Sequence, residues 1–176
     1  DISHIKESDK EHTHRTALQN LLESLKTHII DNGGGGNNAL KALKIIHEPN
    51  NDKEGRGAPD FLVQNNGLNL GYIENKRVNA PLDSITTSPQ IAKYLLLSPN
   101  IMLTDYLRFC LVRLDSKAKP HIAREVRICE FSSLKATLKS KALLESKAKE
   151  LLELFTLFFT HSPKPINTAL EFANAL

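Results

Sequence analysis

"GAPDFLVQNNGLNLGYIENKRV", residues 57–78, holds two strand-like runs, about Asp60 to Gln64 and Leu68 to Arg77, on either side of Asn65-Asn66-Gly67. Asn and Gly between apolar runs are hairpin chemistry, because both tolerate the positive φ that a tight turn needs. Side chains alternate along a strand, so Glu74 and Lys76 project from one face, together with Leu70 and Tyr72. The position of Asp60 depends on register. A three-residue loop with Gly67 left-handed is predicted; it sets Gln64 opposite Leu68, Leu62 opposite Leu70 and Asp60 opposite Tyr72, diagonal to Glu74 on the same side. A two-residue Asn66-Gly67 loop would set Asp60 opposite Ile73 and turn it away, since a slip of one residue flips the face.

Working outward, apolar residues at Ala17, Leu18, Leu21, Leu22, Leu25, Ile29 and Ile30 recur at helical spacing, which predicts an amphipathic helix from Ser8 to about Ile30. "DNGGGGNN" (31–38) ends it as a loop; no G-K-[ST] follows the glycines, so they are no phosphate cradle. "LKIIHEP" (43–49) is a short strand closed by Pro49, followed by a polar loop to Gly57. "SPQIAKYLLL" (88–97) opens with a Ser-Pro pair suited to a helix N-terminus. "NIMLTD", "LRFCLVRL" and, after the turn "DSKAKP", "REVRICEF" are strands, and a long helix spans Ser132 to about Thr160. The order predicts an α/β fold, a mixed central sheet flanked by helices.

A chain of 176 residues with 40% hydrophobic content supports one domain with a real core and a helical extension. Its formal charge of +3 permits a nucleic-acid partner without demanding one, so basic surface must come from local clustering. No apolar run approaches the roughly 18 residues of a membrane span, and the polar start is no secretory signal, so a soluble, cytoplasmic protein without membrane contact is expected. Cys110 and Cys129 lie in apolar surroundings without metal-ligand spacing and are expected as buried thiols. His12 and His14 point in different directions on a helix, and His47-Glu48 lacks the second histidine of H-E-x-x-H. No G-x-S-x-G elbow is present. The lysines of "LKATLKSKALLESKAKE" (134–150) are expected as a solvated helix face. The first residue, Asp1, and the helix-like stretch "PINTALEFANAL" at the other end suggest a piece of a longer polypeptide.

Two carboxylates on one strand face attract a divalent cation, and hard oxygen donors favour Mg²⁺ or Mn²⁺ over Zn²⁺. A lysine beside them can hydrogen-bond an attacking water and balance developing negative charge. The bland alternative is a solvated strand face with Asp60 as a turn residue.

Pro59-Asp60 followed by Glu74-Asn75-Lys76 resembles the PD-(D/E)xK nuclease signature. "EHTHRTALQNLLE" (11–23) is similar to the opening of the N-terminal endonuclease domain of type IIG restriction-modification enzymes, and Gln90 to Tyr94 matches a Q-x-x-x-Y helix pattern found in branches of the superfamily. The resemblance covers roughly residues 8–131, implying an α-β-β-β-α-β restriction-endonuclease-like core over 1–131 and a helical extension or linker over 132–176 towards a missing methyltransferase part. It implies a Mg²⁺-dependent endodeoxyribonuclease, with Mn²⁺ able to substitute, acting in restriction on double-stranded DNA. Asp60, Glu74 and Glu11 would hold metal, and Lys76 would help to activate water. Gln90 and Tyr94 would orient a DNA phosphate or the Lys76 region, and Lys93, Arg15 and Arg56 would support DNA contact. Methyltransferase and target-recognition parts of the same polypeptide, and dimerisation for double-strand cleavage, are the implied partners. A binding module without catalysis and a repair or recombination nuclease are the alternatives. Asn75 departs from the small or apolar residue commoner between Glu and Lys, but it points to the opposite face.

Overall fold

A computed structural model describes residues 14–32, 40–47 and 58–161. Helix α1 (Arg15–Asp31) buries Leu18, Leu22, Leu25 and Ile29, a stripe at four-three-four spacing that gives it one apolar face. Strands β1 (Leu43–His47), β2 (Phe61–Asn65) and β3 (Leu68–Asn75) follow. Two short helices, α2 (Leu82–Thr86) and α3 (Pro89–Leu97), then lead to β4 (Ile101–Thr104), β5 (Arg108–Leu114) and β6 (Pro120–Arg127). The six strands form one sheet in the order β1-β2-β3-β4-β5-β6. Only β3 and β4 pair in parallel, and a parallel neighbour requires a crossover, which α2 and α3 supply. Ser88 starts α3 by accepting the Ile91 amide through its hydroxyl, with Pro89 in the first turn.

Alternation along the strands builds two cores. Phe61, Val63, Ile73, Met102, Phe109 and Leu111 face α1 and the last long helix. Tyr72, Ile101, Leu103, Cys110 and Val112 face Leu82 of α2 and Ile91, Tyr94 and Leu95 of α3. The result is the expected mixed sheet with helices on both faces. Cys110 and Cys129 are buried free thiols; burial pushes the Cys110 thiol up to about 12.

The hairpin differs from expectation. Its loop is the two-residue Asn66-Gly67, both at positive φ (50° and 80°), with Asn65 paired to Leu68. The register then shifts between Val63 and Gln64: Gln64 pairs with Asn69, Val63 with Gly71, and Leu70 is the extra residue of a β-bulge. Gly71 permits this, since a Cβ there would overlap the Asn100 carbonyl oxygen and come within 2.9 Å of the Phe158 ring. Leu70 therefore joins Val63 and Ile73 on the α1 side instead of sharing a face with Tyr72. Beyond the bulge Leu62 pairs with Tyr72 and Phe61 with Ile73. Continued by one residue, this register would set Asp60 across from Glu74.

The other corrections are at boundaries. Strand β3 ends at Asn75 and β2 begins at Phe61. Strand β6 begins at Pro120 rather than Arg124, because Asp115 closes the preceding turn by itself: its Oδ1 accepts the Lys117 and Lys119 amides at 2.8 and 2.9 Å. The expected single helix from Ser132 is a 3-10 turn (Phe131–Ser133), α4 (Leu134–Thr137) and α5 (Lys141–Phe159), restarted by the Ser140 hydroxyl. Leu151, Leu154, Phe155, Phe158 and Phe159 of α5 lie in the same core as β2 and β3. The helix start at Ser8, Glu11, His12, the tetraglycine loop, Arg56 and the stretch from Pro165 lie outside the described residues. No helix among the described residues is long and apolar enough to cross a membrane.

Candidate active site at the ends of strands β2 and β3

Where β2 begins and β3 ends, the sheet carries two buried carboxylates, Asp60 at 8% and Glu74 at 5% exposure. Asp60 is held from two sides. Its Oδ2 accepts the Asn75 backbone amide at 2.8 Å, and its Oδ1 forms an ion pair with Arg15 Nη2 at 2.6 Å. The hairpin delivers the first contact and the start of α1 the second. Glu74 Oε1 accepts from Lys76 Nζ at 2.7 Å and from Gln90 Nε2 at 2.9 Å. Its other oxygen, Oε2, is buried and has no hydrogen-bond partner among the described residues. Burial first, and the Asp60 charge second, raise the Glu74 pKa above its ordinary value, against the lowering effect of the Lys76 ammonium.

Lys76 lies just past the strand, where its amide donates to the Thr104 carbonyl at 2.7 Å and so continues the β3–β4 pairing. Its ammonium also donates to Gln90 Oε1 at 2.9 Å. Gln90 thus uses both ends of its amide, the oxygen on Lys76 and the nitrogen on Glu74 and on Tyr94 Oη at 3.1 Å. Four residues apart on α3, Gln90 and Tyr94 share a face, as their spacing requires. Tyr94 is 1% exposed and donates its hydroxyl to the Ala58 carbonyl at 3.1 Å, tying α3 to the segment that leads into Asp60. Burial and the nearby Glu74 charge push its phenol up to about 12, so it stays a hydrogen-bond donor at neutral pH.

Of the sequence candidates, Asp60, Glu74, Lys76, Gln90, Tyr94 and Arg15 converge here. Lys93 stands exposed on α3, and Glu11 and Arg56 lie outside the described residues. Two residues of the constellation are not among the candidate site residues. Asn75 is 1% exposed, and its Nδ2 donates to Tyr106 Oη at 3.0 Å on the face opposite Glu74. Tyr106 packs edge-on to His14, centroids 5.5 Å apart, immediately before Arg15. Nothing in the residue type of Tyr106 signals the turn conformation it adopts.

Asp60 and Glu74 are the groups that could hold a cation. No set of three or more His, Cys, Asp and Glu side chains gathers anywhere among the described residues. Two carboxylates suit Mg²⁺ or Mn²⁺, which keep several waters, better than Zn²⁺, which takes three or four protein ligands. The partnerless Glu74 Oε2 fits that donor chemistry: a buried carboxylate oxygen is stabilised only by a donor or a cation.

No protein-family model matches the chain, and no curated protein matches it. Among solved structures it is similar to a cryo-electron-microscopy structure of a DrdV–DNA complex, with 18% identity and a TM-score of 0.46 over 81% of this chain and 95% of that one. It is also similar to the type IIG restriction endonuclease BpuSI, with 14% identity and a TM-score of 0.48 over 86% of this chain but only 18% of that one. At such identities the functional reading has to come from the site itself.

Proposed function

We propose that this chain is a metal-dependent DNA endonuclease domain of the PD-(D/E)xK type, hydrolysing phosphodiester bonds as the cleavage part of a restriction-modification enzyme. The observation that carries this reading is the buried Asp60–Glu74 pair with one carboxylate oxygen unsatisfied and Lys76 hydrogen-bonded to the other. Asp60 and Glu74, joined by Glu11, would hold Mg²⁺ or Mn²⁺. When bound, the cation polarises a phosphoryl oxygen and makes water a better nucleophile.

The chain's own residues supply the rest. Lys76 Nζ, fixed between Glu74 and Gln90, is placed to hold the attacking water and to offset charge growing on the phosphate in the transition state. Gln90 keeps the lysine from swinging to solvent, and Tyr94, buried with its hydroxyl engaged, acts on the same region through Gln90 and Ala58. Lys93 and Arg56 are assigned to duplex phosphates, and Arg15 to Asp60, so DNA binding should weaken as salt rises. Target-recognition and methyltransferase parts of the same polypeptide would choose the site, and two copies would cut the two strands. The test is plasmid cleavage with Mg²⁺ by the full-length polypeptide and its Asp60→Ala variant. Loss of cutting in the variant is expected, and undiminished cutting would refute the assignment.

A further inference from the structure

The β4–β5 turn contains a conformation that its sequence does not favour. Tyr106 has φ +72°, a region where glycine or asparagine is at ease and a bulky aromatic residue is strained. The ring is not needed to close the turn. Asp105 Oδ1 accepts the Leu107 and Arg108 amides, and Thr104 Oγ1 accepts the Tyr106 amide while donating to the Arg108 carbonyl. Asp105 Oδ2 further accepts the Asn79 amide. What the strained backbone achieves is the aim of the ring. Its hydroxyl accepts from Asn75, whose backbone amide holds Asp60 Oδ2, and its ring makes a T-shaped contact with His14, the neighbour of Arg15, which holds Asp60 Oδ1.

We infer that Tyr106 is a positioning residue for Asp60: from a left-handed backbone it braces both arms that clamp that carboxylate, Asn75 of the hairpin and the His14-Arg15 start of α1. The inference deepens the nuclease reading and rests on it in its metal arm only.

Two variants separate the hydroxyl from the ring. Tyr106→Phe keeps the backbone and the contact with His14 but leaves Asn75 Nδ2 without its acceptor. Tyr106→Asn suits the left-handed backbone and removes the ring. In the full-length protein, amide hydrogen exchange at Asn75 should speed by about tenfold or more in both, while the Tyr72 amide, bonded to Asn100 in the middle of the strand, keeps its rate. Calorimetric Mn²⁺ affinity should fall about 10- to 100-fold, more in Tyr106→Asn, the size expected when a group that orients a metal ligand is lost. Unchanged Asn75 exchange in Tyr106→Asn would overturn the inference, as would equal acceleration at Asn75 and Tyr72, the mark of a general packing role. Faster Asn75 exchange in a protein that takes up no Mn²⁺ even unaltered would uphold the bracing and sink the nuclease reading instead.

Discussion

Arg108 and Glu74 are both buried charged residues on one sheet, yet their surroundings treat them in opposite ways. Around Arg108 the charges are matched. Its Nη1 and Nη2 donate to the two Asp83 oxygens at 2.7 and 2.9 Å, and its Nε donates to Glu125 Oε2 at 2.9 Å. The guanidinium pKa is raised, above all by the Asp83 hydrogen bonds, and the Asp83 carboxyl is held below its ordinary 3.8. Each partner favours the charged form of the other, which marks a structural clamp joining α2, β5 and β6. Around Glu74, burial first and the Asp60 carboxylate second outweigh the lowering effect of Lys76, and the pKa is raised, opposite in sign to that of Asp83. A buried acid with a raised pKa and an unpartnered oxygen is a candidate functional group rather than a member of a self-satisfied clamp.

The contrast can be broken most sharply by Lys76→Ala. Cleavage by the full-length protein should fall at least about 10²-fold, as expected for loss of one group that meets transition-state charge, while the protein stays folded with a melting temperature lowered by the loss of Glu74's partner. If cutting persists, the Glu74 end is another structural cluster. Arg108→Ala should lower stability by about 2 kcal/mol in denaturant titration, a figure kept modest because Asp83 is mostly exposed, while leaving cleavage by the folded protein unchanged.

Acid should separate the two regions by sign. Asp83, with its folded pKa depressed, contributes stability above its ordinary 3.8 that is lost as pH falls through the lower folded value. Glu74, with its folded pKa raised, favours the fold fully below its ordinary 4.5 and loses that contribution as pH rises through the higher folded value. Glu74→Gln removes the ionisation. Its melting temperature in metal-free buffer should therefore exceed that of the unaltered protein at neutral pH and converge with it towards pH 4. A constant difference across that range would show that Glu74 ionises without strain on the fold.

The site was legible in sequence because its parts obey short rules. Glu74 and Lys76 are two apart at a strand end, and Gln90 and Tyr94 are four apart on a helix, so pairing within each element follows from geometry alone. The register between elements did not follow. The Asn66-Gly67 turn is one residue tighter than expected, and the bulge at Leu70 adds one more residue of offset. Parity is restored, so the register continued one residue past Phe61 would set Asp60 opposite Glu74 rather than diagonal to it. The bulge depends on Gly71 lying against Asn100 and Phe158, contacts from α5 and the loop before β4 that no local pattern announces. The position of Tyr106 was invisible for a related reason: it sits in a backbone conformation that its side chain does not favour.

Isothermal titration of Mg²⁺ into the full-length protein, beside Asp60→Ala and Glu74→Gln, tests the central claim most directly. Uptake at a site that is lost in both variants would establish that the two buried carboxylates hold a cation. Uptake that neither substitution changes would place the metal elsewhere and leave Glu74 a buried acid with no catalytic role.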